Sequence, residues 1–309
     1  MQQNNGMDLG LFLPIANNGW ILSTASPQYL PSWELNRRCT LLAEQIGFDF
    51  ALSMIKWRGF GGRSEFWDHA LESVTLTAGL AAVTERIALY CSVQPLTLPP
   101  AVFARMALTA EAIAPGRIGV NLVAGWNRAE YAQLGLWPGD SFYSDRYAYA
   151  REWLQIVTGL WRQGRFSFNG AFLSAEDCLC QPRLGYSLPI VCAGMSDEGL
   201  RFTARNADIS FVAGGRGTVT RLATEGKRLA AELGKTIKTY ALYTIVLRPD
   251  DAAALVMDGG ALRSVCHCHT IGSPRCDPQE HMPRSPIGCK LIRHSRCDND
   301  AAINSLLFL

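Results

Sequence analysis

Charge is scarce in this chain, and long apolar runs are missing from it. Only 18% of its 309 residues are charged and the formal net charge is +2, so neither a polyanionic partner nor a basic arm for nucleic acid is expected. No apolar stretch approaches the roughly 20 residues that a membrane helix needs, which argues against a membrane partner. The opening stretch MQQNNGMDLGLFLPI has no positive segment ahead of its short apolar run. It does not read as a secretory signal, and cytoplasmic residence is the expectation.

Two familiar motifs are also missing. The cluster Gly59, Gly61 and Gly62 stops short of a dinucleotide fingerprint because Ser64 stands where the last glycine belongs. A nicotinamide site is therefore not evident, and a redox enzyme of this kind would receive its electrons on a diffusible carrier. The nucleophile-elbow pattern GxSxG occurs nowhere, so Asp68 and His69 read as a structural polar pair rather than as parts of a hydrolase. Cysteines Cys39, Cys91, Cys178, Cys180 and Cys192 are scattered through apolar segments. They read as small core residues, with no disulfide framework.

What is present is a composition 48% hydrophobic, that of a globular enzyme. Short runs rich in β-branched and aromatic residues, at 9–15, 48–54, 87–93, 118–123, 189–192, 208–212 and 240–247, read as strands. Between them, 33–46, 101–113, 147–161, 198–206 and 219–233 carry apolar stripes at helical spacing. Alternating βα units with strands apolar on both faces predict an α/β chain folded as a (β/α)8 barrel of the TIM type, with an open doubly wound sheet as competitor. In such a barrel the clusters that follow the strands form the active site. These clusters are 17–20, 55–62, 94–97, 126–130 and 194–197.

Beyond residue 257 the texture changes. The stretch from about 258 to 309 has no helix or strand period, yet it holds five of the ten cysteines and four of the five histidines. Two units are therefore predicted, a barrel over 1–257 and an aberrant tail over 258–309. Cys266, His267, Cys268 and His269 suggest metal ligands, but their spacing is not the CxxC pair of a zinc site and no metal is expected. A shifted reading frame is the preferred account. The barrel is then expected to be incomplete, its eighth strand missing and two edges open.

Several side chains at strand ends carry donors, acceptors or flat rings. In NLVAGWNRAEY, Asn121 lies inside the fourth strand and Trp126 and Glu130 follow it, a combination suited to a flat polar heterocycle. In VCAGMSDEG, Ser196 opens a helix, either as an ordinary cap or as part of an anion site. Arg146 and Tyr147 are placed to add a charge-assisted bond and a phenol to that site.

Taken together, LPIANNGWILSTASPQYLPSWELN, FDFALSMIKWRGFGGRSEFWDHALES, LTLPPAVFARM, GRIGVNLVAGW and VCAGMSD closely resemble the luciferase-like flavin monooxygenases, and within them the branch of pyrimidine oxygenases. The resemblance covers roughly the first four-fifths of the chain. It implies a barrel that binds reduced FMN from a separate NADH-dependent flavin reductase and uses O2 to open the ring of uracil or thymine, giving a ureidoacrylate. It also implies flavin contacts from Ile55, Lys56, Asn121, Glu130, Arg146, Tyr147 and Ser196. Asn121 and Ser92 would attend oxygen, while Leu52, Trp126 and Glu130 would border the pyrimidine. A homo-oligomer is compatible with this. Two other readings stay open: a related monooxygenase for another substrate such as an alkanesulfonate, and an inactive truncated remnant.

Overall fold

A computed structural model describes residues 7–20, 24 and 27–245, and the backbone of 306–308. In chain order the elements are β1 (Gly10–Phe12), α1 (Trp33–Gln45), β2 (Phe50–Leu52), α2 (Ser73–Val83), β3 (Ala88–Val93), α3 (Pro100–Ile113), β4 (Ile118–Leu122), α4 (Arg128–Gln133), α5 (Phe142–Gln163), β5 (Arg165–Asn169), β6 (Ser174–Leu179), β7 (Ile190–Cys192), α6 (Asp197–Asn206), β8 (Ile209–Ala213), α7 (Arg216–Glu232), β9 (Lys238–Thr244) and β10 (Leu306–Phe308). All seven expected strands are present. They pair in parallel in the order β1, β2, β3, β4, β7, β8, β9.

No parallel eighth strand joins them among the described residues, but the edges are not open as the sequence had suggested. β10 lies antiparallel between β9 and β1, with Leu307 opposite Tyr243 on one side and Leu11 on the other. A three-residue segment thus occupies the place of the eighth strand and closes the ring. The metal and reading-frame expectations for the tail, including Cys266, Cys268, Cys276, Cys289 and Cys297, fall outside the described residues.

Two helices and a hairpin escaped the sequence pattern. The sequence of α2, SVTLTAGLAAV, is small or apolar nearly all round and shows no polar stripe. Its start is marked instead by Glu72, whose carboxylate accepts from the backbone N–H of Val74 and Thr75. The six-residue α4 is too short to show a period, although Asn127 caps it. The antiparallel hairpin of β5 and β6 interrupts the βα alternation. It is held to α5 by Glu152, which accepts from the N–H groups of Ala171, Phe172 and Leu173.

Side chains fill the barrel rather than leaving a pore. Phe50 stacks on Tyr240 at 4.2 Å, and Tyr90 meets both rings edge-on. Around them pack Phe12, Leu52, Val191, Ile209 and Leu242. Glycine makes room for the large rings: a Cβ at Gly10 would enter the Phe50 ring, and one at Gly119 the Tyr90 ring. Alternating small and large residues let inward layers interlock. A second core fills the space between the strands and α2, α3 and α5, including the fully buried Trp153 and Trp161.

Candidate active site

On the inner face of β3, Tyr90 and Ser92, and Gln94 one residue past its end, follow one another at the strand period of two, from barrel interior to mouth. Ser92 is the register partner of Asn121 on β4. Asn121 Nδ2 donates to Ser92 Oγ at 2.7 Å, and Ser92 Oγ donates to the carbonyl of Ser53. Because the single hydroxyl proton of Ser92 goes to a carbonyl, its oxygen must accept from Asn121, which fixes the orientation of that amide. Behind this relay Ser73 Oγ accepts from the Ser92 N–H at 2.8 Å and lies 2.5 Å from Ser53 Oγ. Among the described residues, Asn121 Oδ1 is buried without a partner.

The loop after β2 brings a cation to the same mouth. Lys56 Nζ lies 2.9 Å from Glu130 Oε1, and both side chains are almost wholly buried. Three rings surround the ammonium, with centroids 4.6 Å away for Phe60, 5.6 Å for Trp126 and 5.7 Å for Trp67. Glu130 also accepts from Gln94 Nε2 and from the Trp57 N–H, each at 3.3 Å. Gln94 Oε1, like Asn121 Oδ1, is buried without a partner among the described residues. Trp126 itself is half exposed and stacks on Phe60 at 6.3 Å.

On the neighbouring strand β7 the chain turns into α6 and forms a second polar corner. Ser196 caps that helix, its Oγ accepting from the Gly199 N–H at 3.1 Å, so the cap expected from the sequence is real. Gly194 and Gly199 touch backbone to backbone: a Cβ on Gly194 would fall 2.6 Å from the Gly199 Cα. A Cβ on Gly199 would likewise fall 2.5 Å from Tyr147 Oη. Arg146 stacks over Tyr143 and Tyr147 at 4.1 and 4.5 Å and reaches Glu198 at 3.9 Å. Its guanidinium also donates to the Tyr143 carbonyl.

These positions follow from the fold. Parallel pairing of β4 with β7, in register from Val120 with Ile190 to Leu122 with Cys192, sets the two corners side by side at the carboxyl ends of the strands. Asn121, Ser92, Glu130, Lys56 and Trp126 form the first corner, with Ile55 in its loop and Leu52 in the barrel interior beneath. Arg146, Tyr147 and Ser196 form the second. Ser53 and Ser73 were not recognised as parts of a site from the sequence, and Gln94 was named only as part of the 94–97 strand-end cluster, with no role of its own. For Gln94 the available signal was its spacing of two from Ser92.

Other strand-end residues prove structural. Asn17 Nδ2 donates to the carbonyl of Glu65 at 2.9 Å and Asn18 Nδ2 to that of Ser64 at 3.0 Å, so the first loop is clamped to 64–69. His69 pairs with Glu65 at 3.0 Å, not with Asp68 as expected. Burial pushes the Tyr131 hydroxyl well above its ordinary pKa, and the neighbouring Glu130 charge adds to that.

Comparison with known proteins agrees with this architecture. The family model described as luciferase-like monooxygenase matches residues 7–257. The chain is 52% identical over 255 residues to the pyrimidine monooxygenase RutA of Methylorubrum populi, which covers 81% of this chain and 68% of that protein. To its namesake in Escherichia coli it is 49% identical over 252 residues, or 80% of this chain and 69% of that one. Among solved structures, a riboflavin lyase with modified FMN and riboflavin superposes with a TM-score of 0.73 at 20% identity, over 84% of this chain and 67% of the other. The EDTA monooxygenase of a Chelativorans species does so with a TM-score of 0.66 at 18% identity, over 76% and 61%.

Proposed function

The chain belongs to the luciferase-like monooxygenases, and from that premise we propose that it is a two-component flavin monooxygenase acting on pyrimidines. In this reading it takes reduced FMN from a separate NADH-dependent flavin reductase and uses O2 to open the ring of uracil or thymine, giving a ureidoacrylate. The observation that carries the reading is the fixed amide of Asn121. With Nδ2 committed to Ser92, the amide keeps a buried acceptor, Oδ1, at the barrel mouth, suited to an N–H of a reduced flavin or of a pyrimidine.

The residues present fit FMN at both ends. At the second corner, Arg146, Tyr147, Ser196 and the amino end of α6 suit a phosphate. Among the described residues the acid paired with Arg146 there is Glu198, at 3.9 Å with more than half of its side chain exposed, so an incoming dianion displaces it at little cost. At the first corner Ile55, Lys56, Asn121 and Glu130 are the proposed neighbours of the flavin ring. Reduced FMN, when bound, supplies the electrons that activate O2. The protein orients ring and substrate and keeps water away, for which the apolar cover of Phe60, Trp67 and Trp126 is suited. Asn121 attends oxygen, with Ser92 holding its amide in place; Trp126 and Glu130 border the pyrimidine, and Leu52 closes the pocket from below.

The test is incubation of the purified chain with uracil, FMN, NADH, a flavin reductase and air. Uracil-dependent formation of a ureidoacrylate is the expected outcome. Tight FMN binding with no consumption of uracil or thymine would overturn the substrate, and turnover of an alkanesulfonate in their place would establish the alternative.

A further inference from the structure

Gln94 stands one residue beyond β3, on the same inward face as Ser92, and is 3% exposed. Its amide is oriented as that of Asn121 is. Nε2 donates to Glu130 Oε2 at 3.3 Å, and Glu130, already held by Lys56 and the Trp57 N–H, cannot take the amide by its oxygen. The carboxylate therefore keeps Oε1 turned away, and among the described residues the buried Oε1 has no partner. A buried amide oxygen left unsatisfied is costly, of the order of a lost hydrogen bond, so a ligand donor that reaches it is bound strongly. Two such acceptors lie side by side in the fold, Asn121 Oδ1 on β4 and Gln94 Oε1 just past the end of the adjoining β3. Gln94 is one inward layer nearer the mouth, about 7 Å along the strand.

We propose that Gln94 is a specificity-determining residue whose Oε1 accepts a hydrogen bond from a ring N–H of the pyrimidine. This rests on the pyrimidine reading above and deepens it. Uracil carries two ring N–H donors, and an acceptor built into a dry wall rejects a ring whose nitrogen is methylated. The Glu130 carboxylate acts through Gln94 as well as on its own account, because it holds the amide the right way round.

The experiment measures binding of uracil, 1-methyluracil and 3-methyluracil to the FMN-loaded chain by calorimetry, and steady-state KM beside it. In the unaltered chain one of the two methyluracils binds at least 10-fold more weakly than uracil. Gln94→Met, which keeps the volume and loses both polar ends, and Gln94→Ala weaken uracil roughly 10- to 100-fold. Both variants lose the discrimination against that methyluracil, and their affinity for FMN stays within about 3-fold, which also shows that they fold. Uracil binding by Gln94→Met equal to that of the unaltered chain overturns the inference alone. So does a loss of FMN affinity with uracil binding intact. An unaltered chain that binds FMN yet neither binds nor consumes uracil overturns the function reading, and the inference falls with it.

Discussion

Asn121 and Ser92 face each other across β4 and β3, and the 2.7 Å bond from Nδ2 to Oγ decides which end of the amide meets the barrel mouth. The backbone supports that choice from behind, since the Ser53 carbonyl takes the only proton Ser92 has to give. Ser92→Ala removes the acceptor and leaves Asn121 free to turn over. The expected result is a fall in kcat of roughly 10- to 100-fold with FMN affinity nearly unchanged. Ser92→Thr, which keeps the hydroxyl, restores most of the rate. Stopped-flow turnover and fluorescence titration of FMN check both.

Lys56 and Glu130 form an ion pair from which water is nearly excluded, with side chains 6% and 3% exposed. Lys56→Met leaves the Glu130 carboxylate buried without its counter-charge, held among the described residues only by the Trp57 N–H and Gln94 Nε2, and is expected to cost about 3–5 kcal/mol of stability. Adding Glu130→Gln removes the stranded charge and recovers a large part of the loss. Denaturant unfolding of the two single variants and the double variant measures this coupling.

Gly199 has no room for a methyl group. It would lie 2.5 Å from Tyr147 Oη and 2.7 Å from the Gly194 backbone. Gly199→Ala is expected to weaken FMN at least 10-fold by forcing the β7–α6 turn open. Tyr147→Phe in the same chain does not rescue it, because the backbone contact remains. Equilibrium titration with FMN is the check.

Glu152 gives the fold an acid-sensitive hold on its hairpin. Burial alone would raise its pKa, but the amide donors of Phe172, Ala171 and Leu173, with Arg151 nearby, outweigh that and hold it below the ordinary 4.5. A group whose folded pKa is depressed stabilises the fold above its unfolded pKa, and the contribution disappears as pH falls through the folded one. Glu152→Gln should therefore cost about 1–3 kcal/mol at neutral pH. The gap from the unaltered chain should narrow steadily below about pH 4.5, the ordinary value from which Glu152 is lowered. Urea unfolding at several pH values follows that convergence.

Much of the barrel was legible in the residue order. Strands such as Ile118–Leu122 are buried at every position and flanked by glycine and proline, so length and composition alone identify them. Helices with one apolar stripe, such as Asp197–Asn206, were equally plain. Ser73–Val83 was not, because its exposed positions carry Thr75, Ala82 and Val83 rather than charged residues, so no polar stripe marks its outer face. The hairpin strand Arg165–Asn169 hid for the opposite reason: three of its five residues are exposed, and only the alternation of Phe166 and Phe168 marks it.

By itself the sequence determined the alternation of strand and helix, the family likeness, and the polar residues that would gather at the strand ends. Those are local matters, settled by the periodicity of apolar side chains and by turn residues within a few positions of one another. Tertiary structure alone decided which way each amide points, that Lys56 is caged by three rings, and that Gln94 stands beside Glu130 with an acceptor to spare. The partners that impose those choices are remote in the chain: Asn121 and Ser92 are 29 residues apart, Ser92 and Ser53 are 39. Hydrogen-bond direction depends on where a distant donor finally sits, and no local pattern of residues records that.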